Sequence, residues 1–430
     1  MVARLAPATE AYEQAPIFYS ATKPTNAVAR LEARLTGGEI RAGMRHREVL
    51  SGLLEELQIP VESQVLVFSK TSLQRHRISP TQPRAIYFSD DCQIGWVPSG
   101  LIEIASTDPL LGPVFYQLDP DAATASGTYH FKRDNDCLRC HGGTFVRDIP
   151  GLLVRSLHTD AQGEMLLQGG SELVDFRTPF TNRSGGWYVT GMHGQALHRG
   201  NVFTEEKDGQ LTADFSRGAN VTNLSDFFDT SRYLTNTSDI VALLVLEHQI
   251  AMQNTITSAG MRCRRMLEYQ RALQRDLKEV VTEEPTYDSV RSVFKGAVQE
   301  VVEDLLFCGE ATLPVGLKGT PGFQKAFRRN ARCDSADNSL KDFSLEGRLF
   351  KNRCSYLIYS ASFLALPPQL KHRVYERLDQ VLQARSPEPR FNYLGEAERR
   401  HILRILRETH PEFSAFVTSA QPTGANRGNP

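Results

Sequence analysis

Cys137-Leu138-Arg139-Cys140-His141 is the segment that most constrains this chain. Two thiols three residues apart, with an imidazole next to the second, have the spacing at which a c-type haem is attached. Each thiol adds to one of the two haem vinyl groups, so Cys137 and Cys140 have to sit about one turn apart. His141 then lies under the porphyrin, placed to offer its imidazole to the iron as proximal ligand. A structural zinc is the rival reading, because the same residues are soft metal ligands. Zinc sites of that kind recruit a second ligand pair at short range, and the chain has no other Cys-x-x-Cys and no His-x-x-x-His.

At 430 residues the chain is too long for a small cytochrome and long enough for two or three domains. With 40% hydrophobic and 23% charged residues it has an ordinary globular composition. A net charge of −1 gives no reason to expect a nucleic acid or an anionic membrane as partner. The longest apolar run, Ile240 to Leu246, is far short of a membrane span, so no integral span is expected. Outside the motif stand Cys92, Cys263, Cys308, Cys333 and Cys354, an odd and widely spaced set that makes no disulfide framework. Cys354, inside Cys-Ser-Tyr-Leu-Ile-Tyr, reads as a small core residue.

Covalent haem attachment takes place on the outer side of the cytoplasmic membrane. The stretch Met1-Val-Ala-Arg-Leu-Ala-Pro-Ala-Thr-Glu10 has no apolar core of signal-peptide length. The expectation is therefore a periplasmic or otherwise extracytoplasmic protein whose leader is not part of this chain.

Four regions are expected. Residues 1–60 form an N-terminal arm with short helices, since Val28–Leu35 and His46–Leu57 carry apolar residues at helical intervals. Residues 61–236 form an α+β haem-binding domain. There Val65–Phe68, Ala85–Phe88, Ile94–Val97, Leu101–Ile104 and Val114–Leu118 are short β-rich runs punctuated by Pro, Gly and Asp, which reads as a mainly antiparallel sheet. Further strands are expected at Gly151–Arg155, Glu164–Leu167 and Gly186–Thr190, with a hairpin turn at Asp160–Gly163. Residues 237–418 read as all-helical, opening at a cap on Ser238 or Asp239 and continuing through Arg271–Val280, Tyr287–Cys308, Pro368–Ala384 and Gly395–Thr409. Residues 419–430 have the composition of a disordered tail. The fold class is α+β: a mixed, mainly antiparallel β haem-bearing region followed by an all-α C-terminal region.

Several blocks resemble a family of largely uncharacterised bacterial cytochrome-c-domain proteins. They run in order from Gln64-Val-Leu-Val-Phe-Ser-Lys-Thr-Ser72 through Pro83–Phe88, Gly112–Tyr116 and Asp136-Cys-Leu-Arg-Cys-His141. Pro150–Ser156, Gly185-Gly-Trp-Tyr-Val-Thr-Gly191, His193-Gly194, a helix with His248, and Cys354-Ser-Tyr-Leu-Ile-Tyr-Ser360 complete the series. The resemblance implies one covalent haem c and an extracytoplasmic location, and it implies no particular reaction. Arg199 departs from the family pattern, which tends to methionine there.

The sixth iron position has several candidates. Alternation along a strand from Trp187 would put Trp187, Val189, Gly191 and His193 on one face, with Gly191 leaving room for a flat macrocycle. His193 is therefore the leading distal candidate, ahead of His198 and Met192, with His130 and Met165 behind them. His248, in Val-Leu-Glu-His-Gln-Ile, reads as a buried hydrogen-bonded histidine. Arg155, Arg177 and Arg183 are candidates for the haem propionates, because a guanidinium matches a carboxylate bidentately. The expected function is electron transfer with an unknown redox partner protein. A haem c-dependent redox enzyme of peroxidase type, or a haem-based redox or gas sensor, is the alternative.

Overall fold

The computed structural model describes residues 10–34, 45–122, 130–385 and 388–420. It opens with α1 (Ala27–Arg34) and α2 (His46–Glu56), whose Val28, Leu31, Val49, Leu50, Leu53 and Leu54 are buried at helical spacing. The segment ahead of them, part of the expected N-terminal arm, is built into the core. Tyr12, Ile17 and Tyr19 are buried, and the Tyr19 hydroxyl donates to the Pro113 carbonyl at 2.9 Å. The first nine residues of that arm lie outside the described residues.

Five strands follow as an antiparallel meander: β1 (Val65–Val67), β2 (Arg84–Phe88), β3 (Cys92–Trp96), β4 (Ile102–Asp108) and β5 (Gly112–Leu118). Next come β6 (Lys132–Arg133), the short helix α3 (Leu138–His141), the ribbon of β7 (Arg155–Leu157) and β8 (Ser171–Leu173), then β9 (Trp187–Tyr188). A second ribbon pairs β10 (Glu205–Lys207) with β11 (Gln210–Thr212). Among the described residues, seven strands form one sheet in the order β6-β5-β4-β3-β2-β1-β9. Alternation sorts their side chains onto two faces. Val67, Phe88, Ala105, Phe115 and Trp187 enter one core, and Leu66, Tyr87, Ile94, Ile104, Val114 and Tyr188 the other.

Asp239 caps the first helix of the C-terminal region, its Oδ1 accepting from the Ala242 amide at 2.8 Å. That helix, α4 (Ile240–Asp276), has 37 residues and so runs about 55 Å. Arg271–Val280 is not a helix of its own; its first half is the last turns of α4. Then come α5 (Asp288–Leu305), α6 (Pro321–Arg328), α7 (Ala361–Leu364), α8 (Pro368–Leu382), α9 (Glu396–Thr409) and α10 (Pro411–Ala420). The last helix takes up Ser419 and Ala420 of the expected tail, and residues 421–430 lie outside the described residues.

The sheet is thus a middle layer. The N-terminal segment with α1 and α2 covers one face, and α4 with the helices behind it covers the other. The architecture is α+β, a mainly antiparallel sheet region followed by a helical region. The boundary near residue 236 marks a change of secondary structure, while a single core crosses it from the sheet to α9. No helix among the described residues is long and apolar enough to cross a membrane.

Candidate haem-attachment site

The Cys137–His141 segment is a tight turn. Asp134 accepts from the Asp136 amide at 3.0 Å and starts a 3₁₀ turn over Asn135–Cys137, which passes directly into α3. Two anchors hold the turn to the N-terminal arm. Arg133 donates to the carbonyls of Tyr19 and Thr22 at 2.6 and 3.0 Å, and the Asn135 amide reaches the Ser20 hydroxyl at 3.1 Å. A third anchor is the sheet: Gln117 on β5 donates to Asp134.

Within the turn the two thiols differ. Cys140 is exposed. Cys137 is half-buried, and burial, with help from the charges of Asp134 and Glu103, pushes its thiol up to about 12. His141 lies against the sheet, its ring centroid 5.0 Å from that of Phe115. Its Nδ1 is 2.9 Å from the Gly151 carbonyl, so Nδ1 carries the proton and Nε2 keeps its lone pair. Among the described residues Nε2 has no hydrogen-bond partner. Burial holds the imidazole below its ordinary pKa, partly opposed by the Gly151 carbonyl, so the ring is neutral near pH 7.

Gly151 is itself held in place from α4. The Asn254 side chain accepts from the Leu152 amide at 2.9 Å and donates to the Leu152 carbonyl at 2.8 Å. A Cβ at Gly151 would lie 2.8 Å from Val146 Cβ and 2.9 Å from Asn254 Oδ1, so only glycine lets the loop close this tightly. Asn254, Gly151 and Phe115 were not singled out in the sequence. The one visible trace is a set of amides, Gln249, Gln253 and Asn254, in the first half of α4.

The remaining candidates scatter. The Arg155 guanidinium lies 5.9 Å over the exposed Phe145 ring, beside the attachment turn, and donates to Ser171 at 2.7 Å; Met165 Sδ is 3.9 Å away. Arg177 is committed to Asp304 and Asp175, and Arg183 forms a buried pair with Glu247 at 2.6 Å. His248 is buried as expected, though its partner is the Ser355 hydroxyl at 2.8 Å; its ring stacks on Phe307 at 4.2 Å. Cys354 is buried in the core. Met192 and His130 are exposed.

His193 is placed differently from the expectation. The strand stops at Tyr188, because the Val189 amide takes the Asn201 side chain at 2.7 Å instead of a ladder partner, and Gly191 turns at φ +154°. Alternation therefore does not carry through to His193. Its Nδ1 is 2.6 Å from the Ala196 carbonyl, and its Nε2 accepts from the Asn220 amide at 2.9 Å. Both ring nitrogens are in use, and a bond to iron would take Nε2 from Asn220. Four strands also separate β9 from β5, where Phe115 meets His141. His198 packs on His193 with ring centroids 4.6 Å apart, and burial drives it down to about 3.

The donor set can be weighed against both cofactors. A structural zinc needs four protein ligands, and among the described residues no three of His, Cys, Asp and Glu converge on one point. A haem needs two thiols one turn apart and one imidazole nitrogen with its lone pair free, and Cys137, Cys140 and His141 supply these. The chain matches no family model, no curated protein and no solved structure.

Proposed function

We propose that this protein is an extracytoplasmic c-type cytochrome with one haem joined to Cys137 and Cys140, His141 being the proximal ligand, and that it transfers electrons to or from another redox protein. The carrying observation is the orientation of His141. A ligating histidine donates its second ring N–H to a carbonyl or carboxylate, which fixes the tautomer and aims the lone pair, and the Gly151 carbonyl is placed for that role.

When bound, the haem supplies a one-electron couple at iron. The chain's own share is binding and orientation. Asp134 and Gln117 pin the attachment turn, Asn254 fixes the loop carrying Gly151, and Phe115 limits how far the imidazole can tilt. The exposed Phe145, with Arg155 above it, offers an apolar surface and a guanidinium beside the turn, which supports Arg155 ahead of Arg177 and Arg183 as a propionate partner.

The test is attachment itself. Export with a haem c maturation system should give a protein whose haem survives denaturation, and Cys137→Ala with Cys140→Ala should abolish it. Full haem retention in that double variant would place the pigment elsewhere and overturn the proposal. A redox enzyme or haem sensor shares the attachment chemistry and is favoured by chain length, since 430 residues is far more than carrying one electron requires. Reduced protein that binds carbon monoxide would support that second reading.

A further inference from the structure

A row of side chains crosses the sheet beneath the attachment turn. Arg84 on β2 and Glu103 on β4 form an ion pair at 2.6 Å although β3 runs between them. The guanidinium bridges that gap by passing over Gly95, which lies opposite Glu103 in the ladder. A Cβ at Gly95 would sit 2.1 Å from Arg84 Nη2 and 2.5 Å from Cζ, so any other residue would push the guanidinium away. The row continues on β5, where Gln117 is the ladder partner of Glu103 and donates to Asp134, the residue that starts the attachment turn. Phe115, two residues from Gln117 and on the same face, touches His141.

Each choice in this row is unfavourable locally. The two side chains of the pair are only 21% and 16% exposed, and a buried pair of this kind is often no more stabilising than apolar residues of the same volume. Gly95 weakens a central strand. Among the described residues Arg84 Nε is buried with no hydrogen-bond partner. Where local rules fail together, a functional reason is the first to examine. The charges of this pair reach both Cys137 and His141, acting with opposite signs at each.

We infer that the Arg84–Glu103 pair, held together across Gly95, tunes the reduction potential of the haem by fixing the charge balance behind His141. This rests on the haem reading above. A carboxylate behind the imidazole favours the more positive, oxidised iron, and a guanidinium favours the reduced iron. In the intact pair the two effects largely cancel.

The test is the midpoint potential of purified haem-bearing variants by spectroelectrochemistry. Glu103→Gln should shift it upward and Arg84→Gln downward. Gly95→Ala, which displaces the guanidinium, should shift it in the same direction as Arg84→Gln. Potentials that stay at the parent value, or that move the same way in both single variants, would overturn the inference and leave the pair a packing feature. A second arm needs no haem. In protein made without haem, Cys137 alkylation at fixed pH should be several-fold faster in Glu103→Gln and slower in Arg84→Gln; equal rates count against the pair. If the parent carries no covalent haem, the haem reading itself fails, and the inference falls with it whatever the thiol rates.

Discussion

His141 and Gly151 form the relationship on which the site turns: Nδ1 of the imidazole lies 2.9 Å from the Gly151 carbonyl, and the Gly151 amide returns a bond to the His141 carbonyl at 2.8 Å. The loop and the helical turn are therefore locked to each other at His141. Asn254→Ala, which removes both bonds to Leu152, should loosen this lock. We expect covalent haem to be retained, with a shifted Soret band and the stability to unfolding lowered by about 1–3 kcal/mol, the usual cost of unpaired buried backbone groups. An unchanged spectrum and melting temperature would show that Asn254 does not hold Gly151 in solution.

The two thiols should differ sharply in protein made without haem. Cys140 is exposed, while the Cys137 thiol is held protonated by burial. The thiolate is the reacting species, so at pH 8 iodoacetamide should modify Cys140 at least about tenfold faster than Cys137. Peptide mass spectrometry over a time course reads the ratio. Equal rates would mean that the turn opens freely before haem is attached.

His193→Ala should leave covalent haem, the low-spin signature and the reduction potential as in the parent, because both nitrogens of His193 are bound within the polypeptide. Its cost should appear in thermal stability, through the lost partner of the Asn220 amide. If low-spin character disappears instead, His193 does reach the iron, and the loop around Asn220 must rearrange when haem binds. If His193 is silent, Met165 beside Arg155 is the next residue to replace.

Much of the scaffold was legible. The first five strands are short β-rich runs bounded by Pro, Gly and Asp, α2, α5, α8 and α9 carry their apolar residues at helical spacing, and all of them fall close to the expected ranges. The errors occur where side chains capture the backbone. Asn201 takes the Val189 amide and ends β9 early, which removed the basis for placing His193. Glu164–Leu167 contributes only an isolated bridge at Met165, beyond the expected Asp160–Gly163 turn. The residues that act on His141 and its loop were hidden for another reason. Arg84, Glu103, Phe115 and Asn254 come from separate elements and meet only after the sheet has formed, so no local pattern marks them.

Low pH should destabilise the protein through its buried histidines. Burial drives His248 down to about 3, with the nearby Arg177 charge adding to the effect. A folded value below the unfolded 6.5 means that the unfolded chain binds more protons between the two, so stability falls as pH drops below about 6.5. The slope is at most about 1.4 kcal/mol per pH unit for each such histidine. Glu247, raised by burial to about 7 against Arg183, works in the opposite direction over part of that range. Replacing His248 by Asn should flatten the fall in melting temperature between pH 7 and pH 5. An identical slope in both proteins would mean that other groups set it.

One haem held by two thioether bonds at Cys137 and Cys140 should be read in the intact mass of the denatured, exported protein together with its pyridine haemochrome spectrum. The expected result is a polypeptide heavier by one haem, a spectrum of c type, and a single modified peptide spanning residues 137–141. An unmodified mass with bound zinc and no Soret band would contradict it.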